Sequence, residues 1–147
     1  MMYHVNLGWP VLAPGALVSV GGTQVAGDAI GAEIVAPVRG RAQEVCAYSM
    51  RPDPAGRATA FLVNPRVDAG HSGAGHLSWD ATALPTMVRW QVANTAGHYV
   101  LGLEPSTAMV DAGDGTEAFP VLEPGQSRKL GVAIDLERQP VAPNSGR

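Results

Sequence analysis

The chain is poor in the features that mark several common classes of protein. Its 147 residues contain one cysteine, Cys46, so no internal disulfide can form, and this residue lies in an apolar run where it is expected to pack as a small hydrophobe. There is no cluster of lysine or arginine and the formal net charge is −3, which argues against nucleic acid or an anionic membrane as a partner. No apolar run approaches the roughly 18 residues of a membrane-spanning helix.

Targeting and catalytic motifs of several kinds are also missing. The first ten residues do not combine a charged region with an apolar stretch, so they do not resemble a signal peptide, and we expect a soluble, cytoplasmic protein. The phosphate-binding loop, the dinucleotide-binding motif and the nucleophile elbow are absent. His71 and His76 lie five residues apart, a spacing that matches no common metal site. The sequence therefore predicts neither a cofactor nor a bound metal.

Turn-forming residues are abundant. Eighteen glycines and twelve prolines, with only 16% charged residues, predict many short strands joined by tight turns. The expected fold is all-β, an antiparallel β-sandwich formed by one domain over residues 1–138, with a flexible tail at 139–147. Residues 21–32 and 67–75 have no apolar periodicity and are predicted to be loops. The expected strands are 3–7, 16–20, 33–38, 44–50, 58–63, 76–80, 87–93, 98–103, 119–122 and 127–137.

The last of these strands shows the clearest alternation of apolar and polar residues. From 127 to 137 every second residue is large and mostly apolar, which is typical of a strand buried on one face. The preceding sequence, Glu123-Pro-Gly-Gln126, has proline and glycine at the two central positions that a type II turn requires. We therefore predict that Val121-Leu122 and the strand 127–137 are hairpin partners.

One strand ends in a carboxylate. Residues 99–103 have the composition of a buried strand, and Glu104 follows directly, against Pro105, which cannot donate a ladder hydrogen bond. We predict that the strand ends at Glu104 and leaves its side chain at the rim of a sheet. Burial would raise the pKa of this carboxyl group toward the neutral range in which a general base or acid works best. The alternative is a solvated glutamate at the end of a strand.

A second group of candidate residues lies near the start of the chain. His4 and Asn6 are two residues apart, so on a strand both side chains point to the same face. A histidine that can donate a proton and an asparagine that can both donate and accept hydrogen bonds suit a polyol ligand. Trp9 could offer an aromatic face to the C–H surface of such a ligand. The alternative is that His4 is a strand histidine with a purely structural partner.

Two further segments contain candidate binding residues. On a strand, Arg89 and Gln91 share one face and Trp90 points to the other; the polar face could hold hydroxyl groups in a cleft or could simply be solvated. His98 lies six residues before Glu104, an even separation that places both on the same face of a regular strand. It could line the same cleft, or it could be a hydrogen-bonded histidine at the end of a strand.

Four segments together resemble a known family. They are Tyr-His-Val-Asn-Leu-Gly-Trp-Pro at 3–10, Ala-Phe-Leu-Val-Asn-Pro at 60–65, Tyr-Val-Leu-Gly-Leu-Glu-Pro at 99–105, and Val-Leu-Glu-Pro-Gly-Gln-Ser at 121–127. They are similar to the C-terminal half of bacterial aldose 1-epimerase-like proteins of the galactose-mutarotase superfamily, and more closely to an uncharacterised branch of it. The resemblance covers residues 3–137 and implies part of a galactose-mutarotase-like supersandwich.

The resemblance also implies a function. In mutarotases a glutamate acts as general base and a histidine as general acid; Glu104 matches the first position and His4 resembles the second. The implied activity is interconversion of sugar anomers by acid/base ring opening, with a small-molecule sugar as partner and no cofactor, and with Asn6, Arg89, His98 and Trp9 as candidate substrate-binding residues. An earlier histidine and a sugar-holding aspartate of the family have no counterpart here. Two alternatives therefore stay open: a sugar-binding module without turnover, and a structural fragment that self-associates through an exposed sheet.

Overall fold

The computed structural model describes residues 1–26, 34–94, 98–108 and 119–141, and within these ranges the chain forms strands and turns only. Consequently no helix in the described part of the chain is long and apolar enough to cross a membrane. The predicted all-β, antiparallel class is confirmed. The strands are β1 (Val5–Leu7), β2 (Leu17–Val20), β3 (Gly22–Ala26), β4 (Glu44–Met50), β5 (Arg57–Asp68), β6 (His71–Asp80), β7 (Thr86–Asn94), β8 (His98–Ser106) and β9 (Val132–Pro140).

The strands form two sheets that pack face to face. One sheet has the order β1-β8-β7-β4-β3 and the other β2-β5-β6-β9, with every pair antiparallel. Alternate side chains of each strand point into the space between the sheets, as the period of two requires. This core contains Leu101 and Leu103 of β8, Leu62 of β5, and Leu77 and Trp79 of β6, all fully buried.

The two sheets end together along one side of the sandwich. There β1 is the edge of the first sheet and β9 the edge of the second, and the Tyr3 hydroxyl donates to the Leu130 carbonyl oxygen across the gap at 3.0 Å. The edge strand β9 continues the apolar face of β6, because Ile134 pairs with Leu77. Val132 packs against the core, whereas Ile134 and Leu136 farther along the strand are 51% and 72% exposed. The predicted burial of one face is therefore confirmed in part at Leu130 and Val132, which pack against the core, and wrong at Ile134 and Leu136.

Several predicted loops and strands differ from the structure. Residues 67–75, predicted as a loop, form the end of β5, a tight turn and the start of β6. The small residues are there for packing: a Cβ on Gly73 would lie 2.7 Å from Val67 Cγ1, and one on Gly75 would lie 3.3 Å from Leu7 Cδ2. Part of the predicted loop 21–32 is β3, and residues 27–33 lie outside the described ranges. The predicted strand at 33–38 forms no strand over its described residues 34–38.

The predicted C-terminal hairpin is also wrong. The turn itself forms as expected, since Gln126 N–H donates to the Glu123 carbonyl oxygen at 2.9 Å and Gly125 has a φ of 84°. Residues 119–122 form no strand, however, and β9 begins only at Val132, where it can pair with β6 instead. β9 also continues to Pro140, two residues into the predicted tail, and residues 142–147 of that tail lie outside the described ranges.

The strand that contains Glu104 is longer than predicted. β8 runs through Pro105 to Ser106, and Pro105 is fully buried. Although Pro105 has no N–H group, its carbonyl oxygen accepts a hydrogen bond from Tyr3 N–H at 2.9 Å, so the pairing with the start of the chain continues past it. Glu104 is therefore held inside a strand with neighbours on both sides, rather than at a strand end.

A matched pair of substitutions tests the uneven burial of the neighbouring strands β6 and β9. Leu77→Ala should lower the free energy of unfolding by about 2–5 kcal/mol, because it leaves a cavity in the core. Ile134→Ala, directly opposite on β9, should cost below about 1 kcal/mol because its side chain is half exposed. Urea unfolding followed by circular dichroism measures both values. Equal costs would show that Ile134 is covered in solution.

Candidate active site

The site is built by the pairing of β1 with β8. Val5 pairs with Leu103 and Asn6 with Gly102, and the isolated bridge between Met2 and Ser106 keeps the same register toward the N-terminus. In this antiparallel register the residue opposite Glu104 is His4. The two side chains meet, with His4 Nε2 2.9 Å from Glu104 Oε1.

The two members of this pair differ in exposure. Only 6% of the Glu104 side chain is accessible to solvent, whereas 49% of the His4 side chain is. The carboxylate is therefore enclosed, and the imidazole forms the side of the site that solvent or a ligand can reach. A buried proton acceptor beneath an accessible proton donor is an arrangement suited to acid/base chemistry.

Burial raises the pKa of Glu104, and the charge of His4 beside it acts in the opposite direction with a smaller effect. Oε1 accepts no well-aligned hydrogen bond from any described residue, although His4 Nε2 is close, so this contact is an ion pair with poor hydrogen-bond geometry. A carboxylate without strong donors keeps its basicity, because hydrogen bonds to the charged form would lower its pKa.

Gly102 makes room for the carboxylate. A Cβ atom at this position would lie 2.5 Å from Glu104 Oε1 and 3.3 Å from Trp90 Cε3, and the first distance is too short for non-bonded atoms. Gly102 and Glu104 are two residues apart on β8, so they share a face of the sheet. The glycine in this strand therefore reflects the position of the catalytic candidate and not a turn.

Trp90 completes the exposed face of the site and was not identified from the sequence. It pairs with Gly102 across β7 and β8, and its ring meets the His4 ring edge to face, with centroids 5.5 Å apart and planes at 62°. Its indole N–H donates to Gln43 Oε1 at 3.0 Å, which fixes the ring orientation. Asn6 pairs with Gly102 from the other side and is exposed on the same face. The alternation of β7 already placed Trp90 and Arg89 on opposite faces. Gly102, two residues before Glu104 on the neighbouring strand, leaves room for a large side chain opposite, and this was the signal that could have favoured Trp90.

The structure does not bring Arg89 to this site. Because successive residues of a strand point to opposite faces, Arg89 and Gln91 point into the sandwich while Trp90 lies on the face of Glu104. Arg89 is 2% exposed, and its guanidinium donates a long contact to Cys46 Sγ at 3.7 Å. The expectation that Arg89 holds sugar hydroxyls beside Glu104 is therefore corrected: the polar side of β7 faces the core.

His98 and Trp9 also lie apart from the His4–Glu104 pair. His98 shares the face of Glu104, as the even spacing predicted, but six residues of extended strand separate the two backbones by about 20 Å. Trp9 follows β1 in a turn and lines a separate cavity with residues of β5, β6 and β9. Within the described residues, no group of three or more His, Cys, Asp or Glu side chains could hold a metal ion.

Comparisons with known proteins agree with this fold. A family model described as "Domain of unknown function (DUF4432)" matches residues 1–136. No curated protein matches the chain. Among solved structures, the chain is similar to a putative aldose 1-epimerase from Klebsiella pneumoniae subsp. pneumoniae MGH 78578, with a TM-score of 0.57 and 20% identity, over 71% of this chain and 28% of that one. This likeness confirms the fold expected from the sequence resemblance, and this chain matches less than a third of that protein's length.

The burial of Glu104 predicts a pH-dependent stability. Because its pKa is raised in the folded state, ionisation of Glu104 disfavours folding: its contribution is most favourable below the ordinary carboxyl pKa and is lost as pH rises through the raised folded value. Glu104→Gln should therefore be more stable than the parent at neutral pH, with a difference that shrinks on acidification. Thermal melts from about pH 4 to about pH 8 measure this. A matched variant of an exposed carboxylate, Glu123→Gln, should show no such trend, and a Glu104→Gln difference that grows in acid would contradict the raised pKa.

The space left by Gly102 gives a second prediction. Gly102→Ala should displace the Glu104 side chain and lower the free energy of unfolding by about 1–3 kcal/mol, because a methyl group is forced into a filled position. Gly131→Ala is the control, since nothing lies within 4 Å of a Cβ there, and its effect should stay within about 0.5 kcal/mol. Urea unfolding measures both. Similar small effects for the two variants would show that Gly102 is not crowded by the carboxylate.

Proposed function

This chain belongs to the DUF4432 family, and we propose that it interconverts the anomers of an aldose, with Glu104 as general base and His4 as general acid. The observation that carries the proposal is the 2.9 Å contact between the buried Glu104 carboxylate and the accessible His4 imidazole. The fold shared with a putative aldose 1-epimerase supports the same choice of reaction.

In the proposed reaction the C1 hydroxyl group of the sugar loses a proton and the ring oxygen gains one. Glu104 accepts the proton of the C1 hydroxyl group, and the electron pair of that O–H bond forms the carbonyl of the open-chain sugar. The C1–O5 bond breaks, its electron pair stays on the ring oxygen, and protonated His4 delivers a proton there. After rotation about C1–C2, the same two groups act in reverse and the ring closes on the other face of the carbonyl. Positioned acid and base groups each contribute about 10²–10⁴-fold to such a reaction.

The electrostatics of the pair support these roles. The proposed working state has Glu104 ionised and His4 protonated, and their opposite charges stabilise each other across 2.9 Å. An entering sugar separates the two groups, and its C1 hydroxyl and ring oxygen take over the contacts that the side chains make with each other. Burial raises the pKa of Glu104, so the carboxylate binds a proton more readily than an exposed one would.

Trp90 and Asn6 are the proposed sugar-holding residues. The indole of Trp90 is held by Gln43 and offers a flat apolar surface next to His4, against which the C–H face of a pyranose can pack. Asn6 pairs with Gly102, two residues before Glu104 on β8, and its exposed amide can donate hydrogen bonds to hydroxyl groups and accept hydrogen bonds from them. These two residues replace Arg89 in the interpretation of the site.

A sugar-binding module without turnover is the second candidate. It is favoured by the position of His4 directly before the edge strand β1, where 49% of its side chain is exposed. In that case the same residues would hold a sugar, but solvent at His4 would compete with the ring oxygen for its proton. Self-association through the exposed apolar residues of β9 stays a separate proposal.

Polarimetry separates these candidates. Freshly dissolved α-glucose or α-galactose should lose its excess optical rotation faster with the parent protein than in buffer, and Glu104→Gln should remove the acceleration because the amide cannot accept the proton. The reduction should be at least about 100-fold. Glu123→Gln, in an exposed turn, is the matched control and should behave like the parent. A Glu104→Gln protein as fast as the parent would eliminate the proposed base, and sugar binding without acceleration by the parent would favour the module.

A further inference from the structure

One edge of the second sheet is open along β9. This strand pairs with β6 on one side, and no described strand lies on its other side. An open edge presents unpaired backbone N–H and C=O groups, which are a template for a further strand. We propose that β9 is the docking site of an extended protein segment in which basic residues alternate with apolar ones, and that this segment joins the sheet as an added strand.

The pairing of β9 with β6 shows which backbone groups are available at this edge. Val141 N–H donates to the Gly70 carbonyl oxygen at 2.8 Å, directly beyond the last pair of the ladder. Hydrogen-bonded and non-hydrogen-bonded pairs alternate along an antiparallel ladder, and the register of β9 has no shift. Residues at an even separation from Val141 therefore bond to β6. The N–H and C=O groups of Ile134, Leu136 and Arg138 point to the open edge.

The two faces of β9 differ in their chemistry. Ile134 and Leu136 lie on the face that continues the core, and they are 51% and 72% exposed. Asp135 and Glu137 lie on the opposite face, and both are exposed. Neither carboxylate forms an ion pair with a residue that the structure describes. An added strand therefore meets apolar side chains on one face and unpaired negative charges on the other.

The strands β9 and β6 place no permanent cation on this acidic face. Arg138 is the basic residue of β9, and it points to the apolar face, where it contacts Asp68. His76 of β6 lies opposite Asp135 in the ladder and stacks on Phe61. The residues of β6 that pair with β9 on the acidic face are Ser72, Ala74, His76 and Ser78. Lysine or arginine side chains of an added strand would supply the missing charges, as opposite charges across neighbouring strands attract.

The same carboxylates disfavour a second copy of this chain as the added strand. When two copies of β9 form one continuous antiparallel sheet, the registers of greatest overlap are centred on Asp135, Leu136 or Glu137. In each of them a carboxylate of one copy lies directly opposite a carboxylate of the other, and like charges in that position are destabilising. A segment with basic side chains on one face and apolar side chains on the other complements both faces of β9.

Hydrogen exchange tests the proposed strand pairing residue by residue. The probe is the peptide Lys-Val-Lys-Leu-Lys-Val-Lys, blocked at both ends and added to the full chain. In the free protein the amides of Ile134 and Leu136 should exchange fast, whereas those of Asp135 and Glu137, which bond to β6, should be protected. The peptide should slow exchange at Ile134 and Leu136 by at least about tenfold. Binding that leaves these two amides fast would overturn the proposal, because the contact would then involve no strand pairing.

Two further peptides separate charge from alternation. Glu-Val-Glu-Leu-Glu-Val-Glu keeps the apolar residues and should not bind. Lys-Lys-Val-Leu-Val-Lys-Lys keeps the composition without the alternation, and its Kd, measured by fluorescence anisotropy, should be at least about tenfold higher than that of the first peptide. The proposal is overturned if either control peptide binds as tightly as the first, or if the first peptide does not bind at about 1 mM.

A matched pair of variants tests the acidic face. Asp135→Asn should weaken binding of the alternating basic peptide by roughly threefold, because one cross-strand charge pair is lost. Glu123→Gln makes the same charge change in the exposed turn before β9 and should leave Kd unchanged. Equal effects of the two variants would trace the attraction to net charge and contradict the proposal.

The oligomeric state without peptide tests the competing occupant. Sedimentation equilibrium combined with hydrogen exchange at several protein concentrations should show no concentration-dependent protection of Ile134 and Leu136. A dimer that protects these two amides would assign the open edge to a second copy of the chain and overturn the proposal.

Discussion

The pairing between β1 and β8 positions the candidate active site. A slip of one residue in this register would turn His4 to the opposite face and separate it from Glu104. β1 has only three residues, so the register is secured by contacts beyond it. Tyr3 N–H donates to the Pro105 carbonyl oxygen, and Met1 both donates from its amino group to Thr107 Oγ1 and accepts from Thr107 N–H. These hydrogen bonds of Met1 and Tyr3 hold His4, the candidate acid, beside Glu104, the candidate base.

The same sheet uses its two faces for different purposes. The face toward the second sheet has the apolar core together with the buried Arg89, whereas the other face has His4, Glu104 and Trp90. Burial of Glu104 raises the pKa of its carboxyl group, because burial disfavours the charged form. The absence of a side chain at Gly102 leaves the space that this carboxyl group occupies. The carboxylate is enclosed because Glu104 lies on β8, between β1 and β7, and the imidazole is accessible because His4 directly precedes β1 at the edge of the sheet.

The sequence predicted the fold class and the two residues of the pair, but it misplaced their surroundings. The all-β class followed from glycine, proline and short apolar segments, and β4 was predicted at its observed limits. The segment 67–75 was mistaken for a loop because small residues that make room for Val67 and Leu7 resemble turn residues in composition. The choice of Arg89 over Trp90 failed because alternation separates two faces without showing which one contains the site. That information lies in the contacts of β8 with both β7 and β1, and β1 is distant from the other two in sequence.

The most direct test of the account is a crystal structure of the Glu104→Gln protein with a bound aldose. The sugar is expected to lie against Trp90, with its C1 hydroxyl within hydrogen-bond distance of the residue 104 amide and its ring oxygen facing His4. A structure in which the sugar binds elsewhere, while His4 stays in contact with residue 104, would contradict it.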